Sequence, residues 1–388
     1  MHNLLPSKLG KLKIVCALPL FSNSICIKKQ SAAEHGFTQI VLNMILAPHL
    51  QFSVAEQCDF LELAIFCELP KAYLGDSNMW VQQQHANLKS SYESTKSKYW
   101  LETEKSFGLE TSRCANLYGL LAIVESFASM LFIEKECLLG NQYFAQERYK
   151  TQYDTYRRLV LAHDNMAKTH PCSNHNPPLH TVAVNWEHAV YLLDSIYSEA
   201  FRALREEGIA GFTCTFLGVV EKLKEHPLFK GWSSHFPESV GEHTFQVVFL
   251  CRLLASKLSL PVKLRVQLYH VAVLHGLAEV YAREVVYPVH FKEREVTKLH
   301  HSIEQKLITR ICERFRLTLT NDPRLLAIVD ICDHFVTQLY CDREVRSGNV
   351  QFKILQNTLN IKHELYVKDF PEVFHALDDL WLEYASNF

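Results

Sequence analysis

Apolar residues along the chain recur mainly at intervals of three and four positions. The clearest runs are Val247, Val248, Cys251, Leu254 and Ala255, and Leu120, Ile123, Val124, Phe127 and Leu131. This spacing gives a helix one apolar face, whereas the alternating runs that indicate strands are scarce. The pattern therefore predicts an all-α protein.

One polar segment interrupts the helical patterns near the middle of the chain. Residues 168–181 (KTHPCSNHNPPLHT) concentrate Pro, Asn, Ser and His, which is typical of a loop. A chain of 388 residues also has the length of two domains of roughly 150 residues or more each. We therefore expect a first domain at residues 1–165, a linker at 166–183 and a second domain at 184–388.

The two halves of the chain share an internal repeat with a constant offset. SAAEHGF at residues 31–37 is similar to SVGEHTF at 239–245, which lies 208 positions later. At the same offset, LAIFCELPKAY at 63–73 aligns with VAVLHGLAEVY at 271–281, and Glu125 aligns with Asp333. Each match is weak alone, but the shared offset predicts a tandem duplication of one helical domain.

Composition narrows the class of protein. The chain has 40 basic and 42 acidic side chains, a formal net charge of −2, and so lacks the basic excess of proteins that bind nucleic-acid backbones. Its apolar runs fall short of the roughly 20 residues that cross a bilayer, and the N-terminal run at 11–21 lacks a cleavage pattern. The 12 cysteines are scattered without a Cys-x-x-Cys pair. We expect a cytoplasmic protein with reduced thiols that binds neither membrane nor a nucleic-acid backbone.

Three metal-ligand side chains lie on separate predicted helices of the second half. His243 and His275 are imidazoles, and Asp333 lies in the apolar stretch 325–335, where an ionised carboxylate is costly unless it is paired or bound to a metal. Three such groups can converge on one cation. Taken singly, either histidine is better explained as an ordinary core or surface residue, and it is their spacing that favours a site.

These residues belong to a longer pattern. The second half contains Leu223-Lys224-x-x-Pro227, Gly231-Trp232, PESVGEH at 237–243, HGLAE at 275–279, and Asp333. This pattern resembles the HD-domain phosphohydrolases, specifically their 5'-deoxynucleotidase branch, over residues 216–352. In that family a histidine is followed by a His-Asp pair, a glutamate three residues on, an aspartate five further, and a distant aspartate. Through the repeat, the resemblance extends to residues 12–144.

The resemblance implies a helical bundle that holds one divalent metal (Mn, Co, Zn or Mg) and acts on a nucleotide or small phosphate ester. Carried over by position, the metal ligands are His243, His275 and Asp333. The catalytic acids are Glu279 and Glu284, and the substrate-binding residues are Lys230 and Trp232. Gly276 replaces the aspartate of the His-Asp pair, so one ligand is missing. Asp330, one helical turn before Asp333, is a candidate replacement.

The first half departs further from the family pattern. Its corresponding residues are His35, Cys67, Glu68, Asp76 and Glu125, all of which carry groups able to bind a metal. Lys71 stands where the family has its glutamate and can pair with Glu68 or Asp76 instead. We therefore interpret this half as a degenerate site.

Two functions from different classes remain open. In the first, both metal sites are eroded and the duplicated scaffold binds a nucleotide or an unknown protein partner. In the second, the C-terminal site is an active divalent-metal phosphohydrolase on nucleoside monophosphates. Members of this branch commonly form homodimers, so the resemblance also implies that the two bundles pack as a pseudo-two-fold pair. Gly276→Asp is expected to raise metal affinity if the other three ligands are correctly aimed.

Overall fold

The computed structural model describes residues 8–20, 26–74, 86–109, 115–142, 153–161, 184–229, 232–282, 294–317 and 320–385. These residues are mainly helical, and strands β1 (Pro19–Leu20) and β2 (Gln30–Ser31) form one short antiparallel pair. The predicted all-α fold class is thereby confirmed. The chain divides into two compact units: an N-terminal unit, Ile14–Phe212, and a C-terminal unit, Thr213–Phe388 together with Met1–Lys13.

The N-terminal unit contains the helices of the first half of the chain. They are α1 (Lys8–Ala17), α2 (Ala32–His49), α3 (Val54–Phe66), α4 (Lys71–Leu74), α5 (Ala86–Phe107), α6 (Ala115–Leu138) and α7 (Trp186–Cys214). Residues 8–13 of α1 and the last residues of α7 group with the other unit. The core forms where α2, α3 and α6 pack against one another.

Helix α7 extends the N-terminal unit beyond the predicted first domain. The hydroxyl of Tyr156 donates to Asp194 of α7, and the Tyr197 ring lies 6.4 Å from that of Phe127 in α6. Residues 184–212 therefore group with the N-terminal unit, whereas the sequence pattern assigned them to the second domain. The predicted linker at 166–183 lies outside the described residues.

Among the described helices, α6 is long and apolar enough to cross a membrane by length and composition. Its window Leu117–Leu138 is 67% buried within the protein. Because α6 packs against both α2 and α3, its apolar residues form part of the unit's core. The burial accounts for the composition of α6 as that of a core helix.

The C-terminal unit is built on a similar plan. Its helices are α8 (Phe216–Glu225), α9 (Val240–Lys257), α10 (Val262–Ala282), α11 (Arg294–Phe315), α12 (Pro323–Arg346), α13 (Phe352–Asp369) and α14 (Pro371–Ala385). Helices α9, α10 and α12 pack against one another at its core, and α8 packs on α9 and α10.

Helix bounds in the two units recur at the offset found in the sequence. Four helices, α1, α2, α5 and α6, begin and end 208 residues before α8, α9, α11 and α12. Ser31 caps α2 in a capping box with Glu34, and Ser239 caps α9 in the same way with Glu242. The pairing of Pro19 with Ser31 recurs as a bridge between Pro227 and Ser239.

A buried carboxylate fastens the chain ahead of the capped helix in each unit. Glu136 accepts hydrogen bonds from the backbone N–H groups of Ile27 and Lys28, at 2.7 Å each. Glu344, 208 residues later, accepts them from His235 and Phe236 at 3.0 and 2.8 Å. In each unit an asparagine side chain, Asn141 or Asn349, donates to the same carboxylate. These charge-assisted bonds hold the segment that leads into α2 or α9.

The Glu344 anchor yields a prediction for stability and its pH dependence. Burial opposes ionisation of Glu344, yet hydrogen bonds from His235, Ser234, Asn349 and Phe236 lower its pKa to about 2. A folded pKa below the ordinary value of 4.5 stabilises the protein above pH 4.5, and this contribution is lost as the pH falls from 4.5 towards 2. Glu344→Gln should lower the free energy of unfolding at pH 7 by about 1–3 kcal/mol and flatten its acid dependence.

Urea unfolding at pH 7 and at pH 3.5 measures both effects. The control is Asp342→Asn, on the same helix, which removes an ion pair with the exposed Arg346 and should cost less than about 1 kcal/mol. An acid dependence as steep in Glu344→Gln as in the wild type would contradict the prediction.

Candidate metal centres in the two units

The centre of the C-terminal site is His243, in the second turn of α9. The capping box at Ser239 starts this helix, and the side chain of His243 is buried. Its Nε2 lies 2.7 Å from Oδ1 of Asp333 on α12, and its Nδ1 lies 3.3 Å from Oε1 of Glu238. The imidazole therefore bridges two carboxylates.

The third predicted ligand of this site lies close by. Nε2 of His275, on α10, is 4.0 Å from the same Oδ1 of Asp333. The structure thus brings His243, His275 and Asp333 together from three helices that pack against one another. Their action as metal ligands stays a prediction.

Glu238 is a contributor that sequence reasoning missed. It lies within the PESVGEH motif, one residue before the cap of α9, and is buried beside His243. Burial opposes protonation of His243, but its contacts with Asp333 and Glu238 raise its pKa to about 10. A carboxylate behind a histidine also sets the orientation of its ring, as it does behind many metal ligands. The signal was an acid directly before the capping serine.

The N-terminal unit holds a more compact cluster at the corresponding positions. One ligand atom from each of His35 on α2, Glu68 after α3 and Glu125 on α6 can be chosen so that all lie within 4.8 Å of one another. Imidazole and carboxylate groups at this spacing suit a divalent metal. The half interpreted from the sequence as degenerate therefore has a donor geometry that could hold an ion.

A lysine contacts this cluster. Nζ of Lys71 lies 2.9 Å from Oε2 of Glu68, which is fully buried, and 3.3 Å from Oε1 of Glu125. The predicted pairing of Lys71 with Glu68 is therefore present, and its second partner is Glu125. Helix α3 ends at Phe66, shortly before Pro70, because proline cannot continue the helical hydrogen bonding. Lys71 then begins α4.

Cys67 lies beside the cluster and is engaged with its neighbours. Its thiol donates to Oε1 of Gln39 at 2.9 Å and to the carbonyl oxygen of Ala64 at 3.1 Å. Burial and the charge of Glu68 raise its pKa well above the ordinary value, so the thiolate is disfavoured. Gln39, which the sequence reasoning missed, also donates to Glu68 at 2.9 Å. Asp76 lies outside the described residues.

Comparison with known proteins identifies relatives of the C-terminal unit. A family model described as 5'-deoxynucleotidase YfbR-like matches residues 215–378. The resemblance to HD-type 5'-deoxynucleotidases is thereby confirmed. The match includes all three predicted ligands of the C-terminal site.

Two curated relatives agree with this family. A 4'-phosphooxetanocin A phosphatase from Priestia megaterium is 24% identical over 172 residues, which is 40% of this chain and 87% of the relative. A 5'-deoxynucleotidase from Vibrio cholerae serotype O1 is 26% identical over 188 residues, which is 44% of this chain and 95% of the relative.

The structure describes some of the other site residues that the HD-type resemblance implies. The side chain of Glu279 is not among the described groups, and Glu284 and Lys230 lie outside the described residues. Trp232 is partly buried, and its ring lies 5.1 Å from that of Phe352, so it packs on the core of the unit. Asp330, the candidate replacement ligand, accepts a hydrogen bond from Tyr366.

Packing leaves no room for a fourth metal ligand at position 276. A Cβ atom added to Gly276 would lie 2.1 Å from Oγ1 and 3.0 Å from Cβ of Thr244, and real structures do not contain such contacts. Thr244 follows His243 directly, and its hydroxyl donates to the carbonyl oxygen of Val240. The two histidines and Asp333 thus fit a metal in donor chemistry, but a carboxylate at position 276 does not fit beside Thr244.

The same pair of positions has the opposite arrangement in the first half of the chain. At the 208-residue offset, Thr244 corresponds to Gly36 and Gly276 corresponds to Glu68. In the first half of the chain, the glycine therefore follows the histidine, and the larger residue occupies the position that corresponds to 276. The expectation that Gly276→Asp alone restores a ligand is consequently revised, because Thr244 occupies the space.

We predict that Gly276→Asp alone destabilises the protein by about 1–3 kcal/mol through overpacking and leaves metal affinity unchanged. Thr244→Gly combined with Gly276→Asp should raise Mn²⁺ affinity by about tenfold or more, because the added carboxylate then has room beside His243. Isothermal titration with Mn²⁺ measures the affinities. Thr244→Gly alone is the control, and should cost about 1 kcal/mol of helix stability without a gain in affinity. Equal affinities in the single and double aspartate variants would contradict the role of Thr244.

Proposed function

We propose that the protein is a nucleotide-binding relative of the HD-type 5'-deoxynucleotidases in which hydrolysis is weak or lost. The family match and the two curated relatives support a nucleotide or small phosphate ester as its ligand. Two features support reduced chemistry: position 276 of the C-terminal unit is a glycine, and Lys71 contacts two of the candidate ligands of the N-terminal unit. The scaffold therefore retains recognition while its chemistry is reduced.

The observation that carries this proposal is the contact between Thr244 and position 276. The HD-type pattern has the aspartate of its His-Asp pair at position 276, and Thr244 fills the space that this side chain would need. His243, one of the three other predicted ligands, is paired on both ring nitrogens with carboxylates. These two contacts raise the pKa of His243 to about 10, although burial opposes its protonation.

We also propose that the chain arose by tandem duplication of one HD-type domain. Four helices with bounds 208 residues apart support this origin, as do the matching capping boxes of Ser31 and Ser239. The anchors Glu136 and Glu344, which accept hydrogen bonds from equivalent backbone groups, support it independently of residue identity at the metal sites.

We place the protein in the cytoplasm. The described cysteines are thiols rather than disulfides, which accords with a reducing compartment. Lys230 and Trp232 are the residues proposed to bind the nucleotide. An unidentified protein is the other ligand proposed for the scaffold.

Metal content and turnover of the purified full-length protein test the proposal. We expect substoichiometric metal by mass spectrometry and measurable binding of deoxynucleoside monophosphates by calorimetry. With added Mn²⁺ or Co²⁺, turnover should stay below about 0.01 s⁻¹, roughly a hundredfold under the usual lower range for enzymes. His243→Asn should leave this slow rate unchanged. Absence of nucleotide binding would overturn the proposal.

The second candidate function is an active divalent-metal phosphohydrolase of the C-terminal unit. The convergence of His243 and His275 on Asp333, at 2.7 and 4.0 Å, favours it. A divalent metal held by these three residues would supply a water ligand of lowered pKa for attack on a phosphate. Glu279 and Glu284 are the acids proposed for proton transfer. Stoichiometric metal, with turnover above about 1 s⁻¹ that disappears in His243→Asn, would establish this function in place of the first.

A further inference from the structure

The N-terminal cluster contains both a set of candidate metal ligands and a cation that contacts two of them. The ligand atoms of His35, Glu68 and Glu125 lie within 4.8 Å of one another. Nζ of Lys71 is 2.9 and 3.0 Å from the two carboxylate oxygens of Glu68, and 3.3 Å from Glu125. The lysine therefore reaches the space between the two carboxylates.

We propose that the Lys71 ammonium is the resident cation of this cluster and occupies the position that a divalent metal would otherwise take between Glu68 and Glu125. An ammonium group is a compact charge with three donors, so it can satisfy several carboxylate oxygens at once. This inference stands on the geometry of the N-terminal unit and holds whichever function the C-terminal site has.

Burial makes a cation at this position necessary. Glu68 is fully buried, and its other described side-chain partners, Gln39 and Cys67, are neutral. Burial raises the pKa of Glu68, and Lys71 opposes that effect. Burial alone would lower the pKa of Lys71, but Glu68 and Glu125 raise it, which keeps the lysine protonated. Nζ of Lys71 contacts both carboxylates, at 2.9 Å from Glu68 and 3.3 Å from Glu125.

Glu125 faces further positive charge. Burial opposes its ionisation, and Lys96, Lys71 and His35 together lower its pKa well below the ordinary range. The cluster thus contains two carboxylates that face cationic side chains of the protein. A divalent ion entering this site would have to displace Lys71 from both carboxylates.

Comparison of the two units at the 208-residue offset relates the charge of Lys71 to that of a divalent metal ion. Lys71 corresponds to Glu279 in the second copy, where the HD-type pattern also has a glutamate. Replacing a carboxylate by an ammonium changes the charge at that position by two units. This change equals the charge of one divalent ion, so a single substitution can take over the electrostatic role of the metal.

The test uses the full chain and counts bound Mn²⁺ by equilibrium dialysis, together with the unfolding temperature Tm with and without chelator. Lys71→Met should bind one more Mn²⁺ per chain than the wild type. In chelator its Tm should fall by about 5 °C or more, and Mn²⁺ should restore most of this loss. Because the C-terminal site is the same in all variants, failure of the proposed function would not affect this difference.

Three further variants make the result specific. Lys29→Met, which removes an exposed lysine of the same unit, should behave as the wild type. Lys71→Met combined with Glu125→Gln should lose at least about tenfold of the gained Mn²⁺ affinity, because one ligand is removed. Lys71→Gln keeps a hydrogen-bond donor without the charge, and should also gain a Mn²⁺ site.

The proposal is overturned if folded Lys71→Met and Lys71→Gln both bind no additional Mn²⁺. It is equally overturned if the wild type already binds a Mn²⁺ that Glu125→Gln removes. Should both neutral variants fold only when Mn²⁺ is present, the dependence on metal would support it. Failure of both to fold even with Mn²⁺ would count against it, because a metal at this position should replace the lost cation.

Discussion

A charged side chain inside a helical unit is stable only when it lies beside an opposite charge. The packing of the central helices in this protein depends on such pairs. In the C-terminal unit, α9, α10 and α12 converge where His243 lies between Glu238 and Asp333. In the N-terminal unit, α2, α3 and α6 pack around the cluster of Glu68 and Glu125, which Lys71 joins. In both units, carboxylates pair with a nitrogen-bearing side chain of the protein, an imidazole in one and an ammonium in the other.

The sequence predicted the helical class, the 208-residue offset and the groups that converge in each copy. These features have local signals, such as apolar spacing, capping serines and short repeated motifs. The contact between Thr244 and Gly276 and the role of Glu238 behind His243 could not be predicted in the same way, because they depend on how neighbouring helices pack. Pro70 is a local signal for the end of α3 at Phe66. The corresponding helix of the C-terminal unit, α10, continues to Ala282.

The candidate sites of the two units differ from the HD-type pattern in different ways. The C-terminal unit keeps the two histidines and the distant aspartate, and it is the part that the 5'-deoxynucleotidase family model matches. The N-terminal unit keeps a closer set of donors but places Lys71 among them. Similarity of sequence and compactness of the donor set therefore point to different units, and neither criterion alone identifies a working metal centre.

The carboxylate anchors Glu136 and Glu344 separate the maintenance of the fold from the chemistry of the site. Glu344 lies eleven residues after Asp333 on α12, about three helical turns away, and Glu136 stands in the same relation to Glu125 on α6. Each anchor holds the entry to the histidine-bearing helix without using any of the metal-ligand positions. Substitutions at the metal-ligand positions of either unit therefore leave the hydrogen bonds of its anchor in place. The architecture and the site chemistry of each unit therefore depend on different side chains.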